Sequence, residues 1–173
     1  MTIPASLRRE VARRAEDRRE YCGLSQAGQE AAFHADHVVP VTAGGPTTLE
    51  NLALACVSCS LRKGARQTSF DPATGDAVPL FHPRRDAWRA HFRWDGGRVV
   101  GQTPTGRATL ATLDMNRLLV FAIRGEEALR GRQSAAVAHL SGGRRQLRSG
   151  IFVVTTRPPK PPSRRGRGTA RGP

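Results

Sequence analysis

The chain is poor in aromatic residues (5%), has half as many acids as bases (14 against 28), holds three cysteines, and contains no long apolar run. No stretch approaches the roughly 20 apolar residues that a helix needs to cross a bilayer, so a spanning segment is not expected. The opening "MTIPASLRREVARRAEDRRE" lacks an apolar core and carries several acids, unlike a secretory signal or a transit peptide. The expectation is a soluble, cytoplasmic protein. An odd number of cysteines cannot all pair within one chain. In a reducing compartment a Cys-x-x-Cys is better suited to metal or redox chemistry than to stapling a fold. With so few aromatics, Phe81, Trp88, Phe92 and Trp94 read as core rather than as a base-stacking surface. No internal repeat is visible.

What is abundant is positive charge. The formal net charge is +14, and so basic a surface is drawn to polyanions, nucleic acid first among them. Nine of the 28 basic residues lie between Arg144 and Arg171 with no acid among them; without them, 19 bases still face 14 acids. The Arg, Pro and Gly composition from 144 onward cannot offset the entropy of ordering, so 144–173 reads as a disordered basic tail. Such a tail either binds nucleic acid or only solubilises. The other residues, with 38% of the chain hydrophobic, suffice for one modest core.

Residues 5 to 20 carry Leu7, Val11 and Ala15 at helical spacing, with Ser6 as the expected N-cap. "AAFHADHVV" reads as a short strand ending before Pro40, "TAGGPTT" as a turn-rich loop, and "NLALAC" as a second strand. "SCSLRKGARQ" reads as a helix. Further on come a turn with a short extended run ("FDPATGDAVPLFHP") and a helix passing into a strand ("RRDAWRAHFRW"). A hairpin return ("DGGRVVGQT") and a helix starting near Pro104 follow. Residues 117 to 140 have helical composition interrupted by glycines at 125 and 131.

Within "FHADHVVPVTAGGPTTLENLALACVSCSLRKG", residues 33 to 64, an Asp-His pair, an Asn and a Cys-x-x-Cys fall close together. A neutral imidazole at a strand end can take a proton from water near pH 7, and a carboxylate beside it can hold a divalent cation against a phosphodiester. That cation stabilises charge on the phosphorus oxygens and the leaving oxygen, so one base and one ion suffice for hydrolysis. Arg62 and Lys63 on the following helix are either phosphate contacts or ordinary solvated charges.

"ADHVVP", "GGPTTLENLALAC" and the Cys-x-x-Cys followed by "RKG" resemble the HNH endonuclease family, and the likeness runs over roughly residues 8 to 117 into a bacterial subgroup. The resemblance implies an α+β protein built on a ββα-metal finger, with an N-terminal helix and a small C-terminal α/β extension. Residues 1–117 would form the nuclease domain and its extension, 118–143 a helical segment and 144–173 the tail. It implies His37 as general base, Asp36 as ligand of Mg²⁺ or another divalent ion, and Asn51 as the residue fixing the histidine-bearing loop. Cys22, Cys56 and Cys59 would be three ligands of a structural Zn²⁺. The substrate implied is DNA, with RNA as the variant, and cleavage would leave a 5′ phosphate.

Two positions depart from the pattern. Arg19 stands where the fourth thiolate belongs, and arginine does not ligate zinc; water or His34 would have to complete the tetrahedron. Ser60 stands where the family places Asn or His, and its shorter hydroxyl must meet the catalytic ion directly or through water. Both touch metal sites, so the rival reading is a catalytically impaired nucleic-acid-binding protein of the same fold. A Cys-x-x-Cys redox protein is disfavoured because no βαβ pattern surrounds the motif.

Overall fold

The computed structural model describes residues 2–26 and 33–130, and the expected tail at 144–173 lies outside the described residues. The first helix, α1, spans Ala5–Arg14 and starts earlier than expected: Pro4, extended at φ −54° and ψ 145°, is the N-cap, which leaves Ser6 inside the helix. It also ends sooner, because Glu16 and Asp17 take positive φ values of 50° and 51°.

Strands β1 (His34–His37) and β2 (Leu52–Ala55) form an antiparallel pair in which His34 faces Ala55, Asp36 faces Ala53 and His37 faces Leu52. Both faces of β2 are covered, and all four of its residues are buried. Leu52 and Leu54 pack with Val11 of α1 and Ala35, whereas Ala53 and Ala55 face the cysteines. The alternation of large and small side chains follows from what lies on each side: a helix needs filling, and the cysteine cluster lies close. The outer edge of β2 is covered by Glu20, whose carboxylate accepts from Leu54 N at 2.7 Å while its own N–H donates to Leu54 O at 3.0 Å. Arg14 and Arg84 pair with that carboxylate.

Helix α2, Val57–Lys63, begins at once after β2, with Cys56 as its N-cap: the Cys56 sulfur accepts from Cys59 N at 3.3 Å. Downstream, β3 (Thr68–Phe70) and β4 (Ala77–Pro79) form one hairpin. A one-turn helix α3 (Trp88–His91) runs into β5 (Phe92–Asp95), which pairs with β6 (Arg98–Gly101). Helix α4, Pro104–Leu113, is capped by the Thr103 hydroxyl, which accepts from Gly106 N at 3.0 Å. It lies so close to α3 that a Cβ on Gly106 would stand 2.2 Å from His91 O. The result is a mixed α+β architecture.

Of the aromatic residues expected in the core, Phe81 and Phe92 are buried, while Trp88 and Trp94 are half-buried and pack against it. Phe81 and Phe92 meet edge to face at 5.2 Å, and Trp88 and Trp94 stack at 5.3 Å. The glycine-interrupted segment yields helix α5, Leu118–Leu129. Its Arg124 is buried, donates to Cys22 O at 2.9 Å and lies 5.0 Å over the Trp94 ring; Glu127 accepts from Ser25 N at 2.9 Å. This helix therefore braces the backbone at Cys22 and three residues beyond it. No helix among the described residues is long and apolar enough to cross a membrane.

Candidate functional site

His37 and Asp36 occupy the last two positions of β1 and are both half-buried. Because alternate strand residues face opposite ways, Asp36 shares the Ala53 face, toward α2, while His37 sits opposite Leu52. The chain then leaves the strand and folds back through a short 3₁₀ turn, Val41–Ala43, before returning through a second at Leu49–Asn51.

Asn51 closes that loop. Its side chain is buried; Oδ1 accepts from Val39 N at 2.8 Å, and Nδ2 donates to Val39 O and Pro46 O, both at 2.9 Å. Its backbone carbonyl accepts from Val38 N at 2.8 Å. One residue thus fixes the two positions that follow His37. Gly45 makes the close passage possible, since a Cβ there would lie 2.0 Å from Val39 O and 2.8 Å from Asn51 Nδ2.

Two further contacts hold His37. Its Nε2 lies 3.0 Å from the Thr47 hydroxyl, and its carbonyl accepts from Lys63 Nζ at 2.8 Å. Lys63 is 3% exposed, and its ammonium also donates to Gly64 O at 3.2 Å. Burial lowers the Lys63 pKa from the ordinary lysine value, and the Asp36 carboxylate opposes that shift. The sequence offered Lys63 to a phosphate backbone, but the structure turns its ammonium inward onto the carbonyl of His37. Arg62, offered for the same role, is exposed and pairs with Asp114 at 3.2 Å.

Thr47 lies in the Gly-Gly-Pro-Thr-Thr stretch, where the sequence marks it only as a turn residue. It becomes significant only when the loop folds back ten residues to meet His37. Ser60 lies on α2 and is half-buried, and its backbone carbonyl accepts from the helix-terminating Gly64 N at 2.8 Å.

On the Ala53 and Ala55 side of β2, the sulfurs of Cys22, Cys56 and Cys59 all lie within 4.8 Å of one another, and all three residues are buried. Zinc–sulfur bonds of about 2.3 Å place tetrahedral thiolates about 3.8 Å apart, so three corners of such a site fit. Among the described residues this is the one group of three Cys, His, Asp or Glu side chains placed to share an ion, and His34 is not part of it. Arg19 is buried at the edge of the cluster with its guanidinium 4.2 Å over the Phe33 ring. Hydrogen bonds from the Cys22 and Cys59 thiols, and from the Cys59 N–H, push the Cys56 pKa well down; the same sharing raises those of Cys59 and Cys22. The Arg117 guanidinium lies 4.0 Å from the Cys56 sulfur.

Comparison with known families bears on both clusters at once. Residues 20–66 match the HNH endonuclease family model. The HNH segment takes in the cysteine cluster, β1, the Asn51 loop, β2 and α2, and points to a nuclease or nucleic-acid-related function. No curated protein and no solved structure matches the chain.

Proposed function

We propose that the chain is a metal-dependent endonuclease that hydrolyses DNA phosphodiester bonds, with β1, β2 and α2 forming a ββα-metal finger. The observation that carries the reading is the double restraint on His37, through Thr47 at the ring and Lys63 at the carbonyl, in a loop that Asn51 closes. A general base needs a fixed direction, and the Thr47 contact supports one at the ring while the Lys63 bond holds the backbone that carries it. In the tautomer that serves catalysis, Nε2–H donates to the Thr47 oxygen and Nδ1 keeps its lone pair for the proton of a water.

Asp36 fits a hard divalent cation, Mg²⁺ or a relative, as its carboxylate ligand, and the Ser60 hydroxyl fits as a second donor from α2. Such an ion, when bound, supplies positive charge for the phosphorus oxygens and the leaving oxygen. His37 takes the water proton, and Asn51 keeps the loop from relaxing during the step. The product carries a 5′ phosphate. Cys22, Cys56 and Cys59 would hold a structural Zn²⁺ through three thiolates, a weaker site than four would make because Arg19 supplies no ligand.

A binding-only protein of the same fold is the second reading, favoured by Ser60 and Arg19, which both thin the metal sites. The two separate on supercoiled plasmid incubated with Mg²⁺ or Mn²⁺. Nicking that EDTA and His37→Ala abolish supports the enzyme, and binding without nicking under either ion supports the alternative.

A further inference from the structure

Between the C-terminal end of α2 and the turn at residues 80 to 86 lies a cleft of about 550 Å³. It adjoins the proposed catalytic loop directly: Val38 and Val39, the two residues after His37, form part of its floor, and Lys63, which bonds His37 O at 2.8 Å, stands in its wall. Its lining also includes the apolar Pro79 and Leu80, the polar Gln67, Thr68 and His82, and the exposed Arg66 and Arg85.

These two arginines differ from most of their neighbours. Arg62 pairs with Asp114, Arg84 with Glu20 and Arg107 with Asp71, whereas among the described residues Arg66 and Arg85 pair with no carboxylate. Both are exposed. The one carboxylate in the lining, Asp86, accepts from His82 N at 2.8 Å and so is directed to its own turn. Two exposed guanidinium groups with no carboxylate partner, Arg66 also donating to Arg62 O at 2.6 Å, stand beside apolar side chains and form a surface that takes phosphates on its charges and the face of a base on its apolar lining. The volume lies within the roughly 300–1,000 Å³ of pockets that enclose one small organic molecule, which suits a nucleotide and is too small for a duplex.

We propose that this cleft seats an unpaired stretch of the DNA strand beside the scissile position, with its phosphates on Arg66 and Arg85. The proposal rests on the nuclease reading for the identity of the ligand, and it makes the preferred substrate DNA with single-stranded character: ends, forks, flaps or gaps.

The test measures binding rather than cleavage. Full-length protein is titrated into fluorescent oligothymidylate without added Mg²⁺ or Mn²⁺ at several salt concentrations, as wild type, as Arg66→Ala/Arg85→Ala and as Arg8→Ala/Arg9→Ala. The last removes the same charge from exposed positions on α1. Two single-strand phosphate contacts at about 0.7 each should lower the salt slope by about 1.4, with an affinity loss of about tenfold, in the cleft variant alone. A hairpin duplex should respond less. All substituted residues are exposed, and circular dichroism checks that the variants stay folded.

The proposal is overturned if wild type does not bind oligothymidylate or if the cleft variant keeps its slope. Equal losses for the two arginine pairs, or for single strand and duplex, overturn it as well. Plasmid nicking that persists with an unaltered slope removes the cleft assignment and leaves the nuclease reading standing, whereas cleft-dependent binding without added Mg²⁺ or Mn²⁺ is independent of whether the protein cleaves.

Discussion

Replacing Asn51 with alanine removes three side-chain hydrogen bonds at one buried point: one from Val39 N and one each to Val39 O and Pro46 O. A net value of about 1 kcal/mol per bond puts the loss near 3 kcal/mol, and little apolar contact is lost to add to it. Domains of this size are stable by roughly 5–15 kcal/mol, so the variant should fold and yet be clearly weakened. With a urea dependence of about 1–3 kcal/mol per molar, the unfolding midpoint should drop by roughly 1–3 M, followed through Trp88 and Trp94 fluorescence. Cleavage should fall further, by about 100-fold, because the loop that carries His37 loses its closure and the base its aim. Asn51→Asp sharpens the test: it keeps an acceptor for Val39 N–H but sets a carboxylate against two carbonyl oxygens, so it should be at least as damaging as alanine. An Asn51→Ala protein that unfolds within about 0.5 kcal/mol of wild type would refute the closure role.

Four other outcomes follow from the same geometry. Thr47→Val, which keeps shape and removes the hydroxyl, should lower cleavage about tenfold and alter its pH profile while leaving the urea midpoint nearly in place; an unchanged profile would remove Thr47 from the mechanism. Gly45→Ala should disrupt the loop, because its Cβ would meet Val39 O at 2.0 Å, and a variant as stable as wild type would show that the loop is not so tightly closed. Arg19→Cys should tighten zinc binding, read by competition with a chromogenic chelator, since it completes Cys-x-x-Cys with Cys22; no gain would mean that position 19 does not face the fourth corner. Lys63→Met should reduce both stability and cleavage yet leave the salt slope of DNA binding unaltered, and a reduced slope would return Lys63 to the phosphate backbone.

Much of the fold was legible because local signals were strong. Pro40 and the Gly-Gly-Pro turn bracket β1 and the loop, Cys56 ends β2 and caps α2, and Thr103-Pro104 starts α4. α1 misled at its N-terminus because Ser6 is a better cap in isolation than Pro4, but the extended Pro4 had already set the first turn. α5 was uncertain because Gly125 weakens its propensity; Val120, Arg124 and Glu127, all buried in tertiary contact, override it.

Asp36 and His37 could be named from the residues themselves, whereas the roles expected of Asn51, Cys22, Cys56 and Cys59 came from the resemblance to the HNH family. The direction of a long side chain came from neither. Lys63 reads as a surface cation in sequence and becomes a buried tie to His37, because the C-terminal end of α2 lies against the end of β1. Gly45 and Thr47 read in sequence only as turn residues of the Gly-Gly-Pro-Thr-Thr stretch, and nothing marks Arg66 and Arg85, since each matters through a contact that only chain folding creates.

The most direct test of the central reading is single-turnover nicking of supercoiled plasmid by purified protein with Mg²⁺ or Mn²⁺, set beside EDTA and His37→Ala. The account expects metal-dependent nicking that EDTA stops and His37→Ala abolishes while DNA binding persists. Tight binding with no nicking under either ion, or nicking that survives His37→Ala, would contradict it.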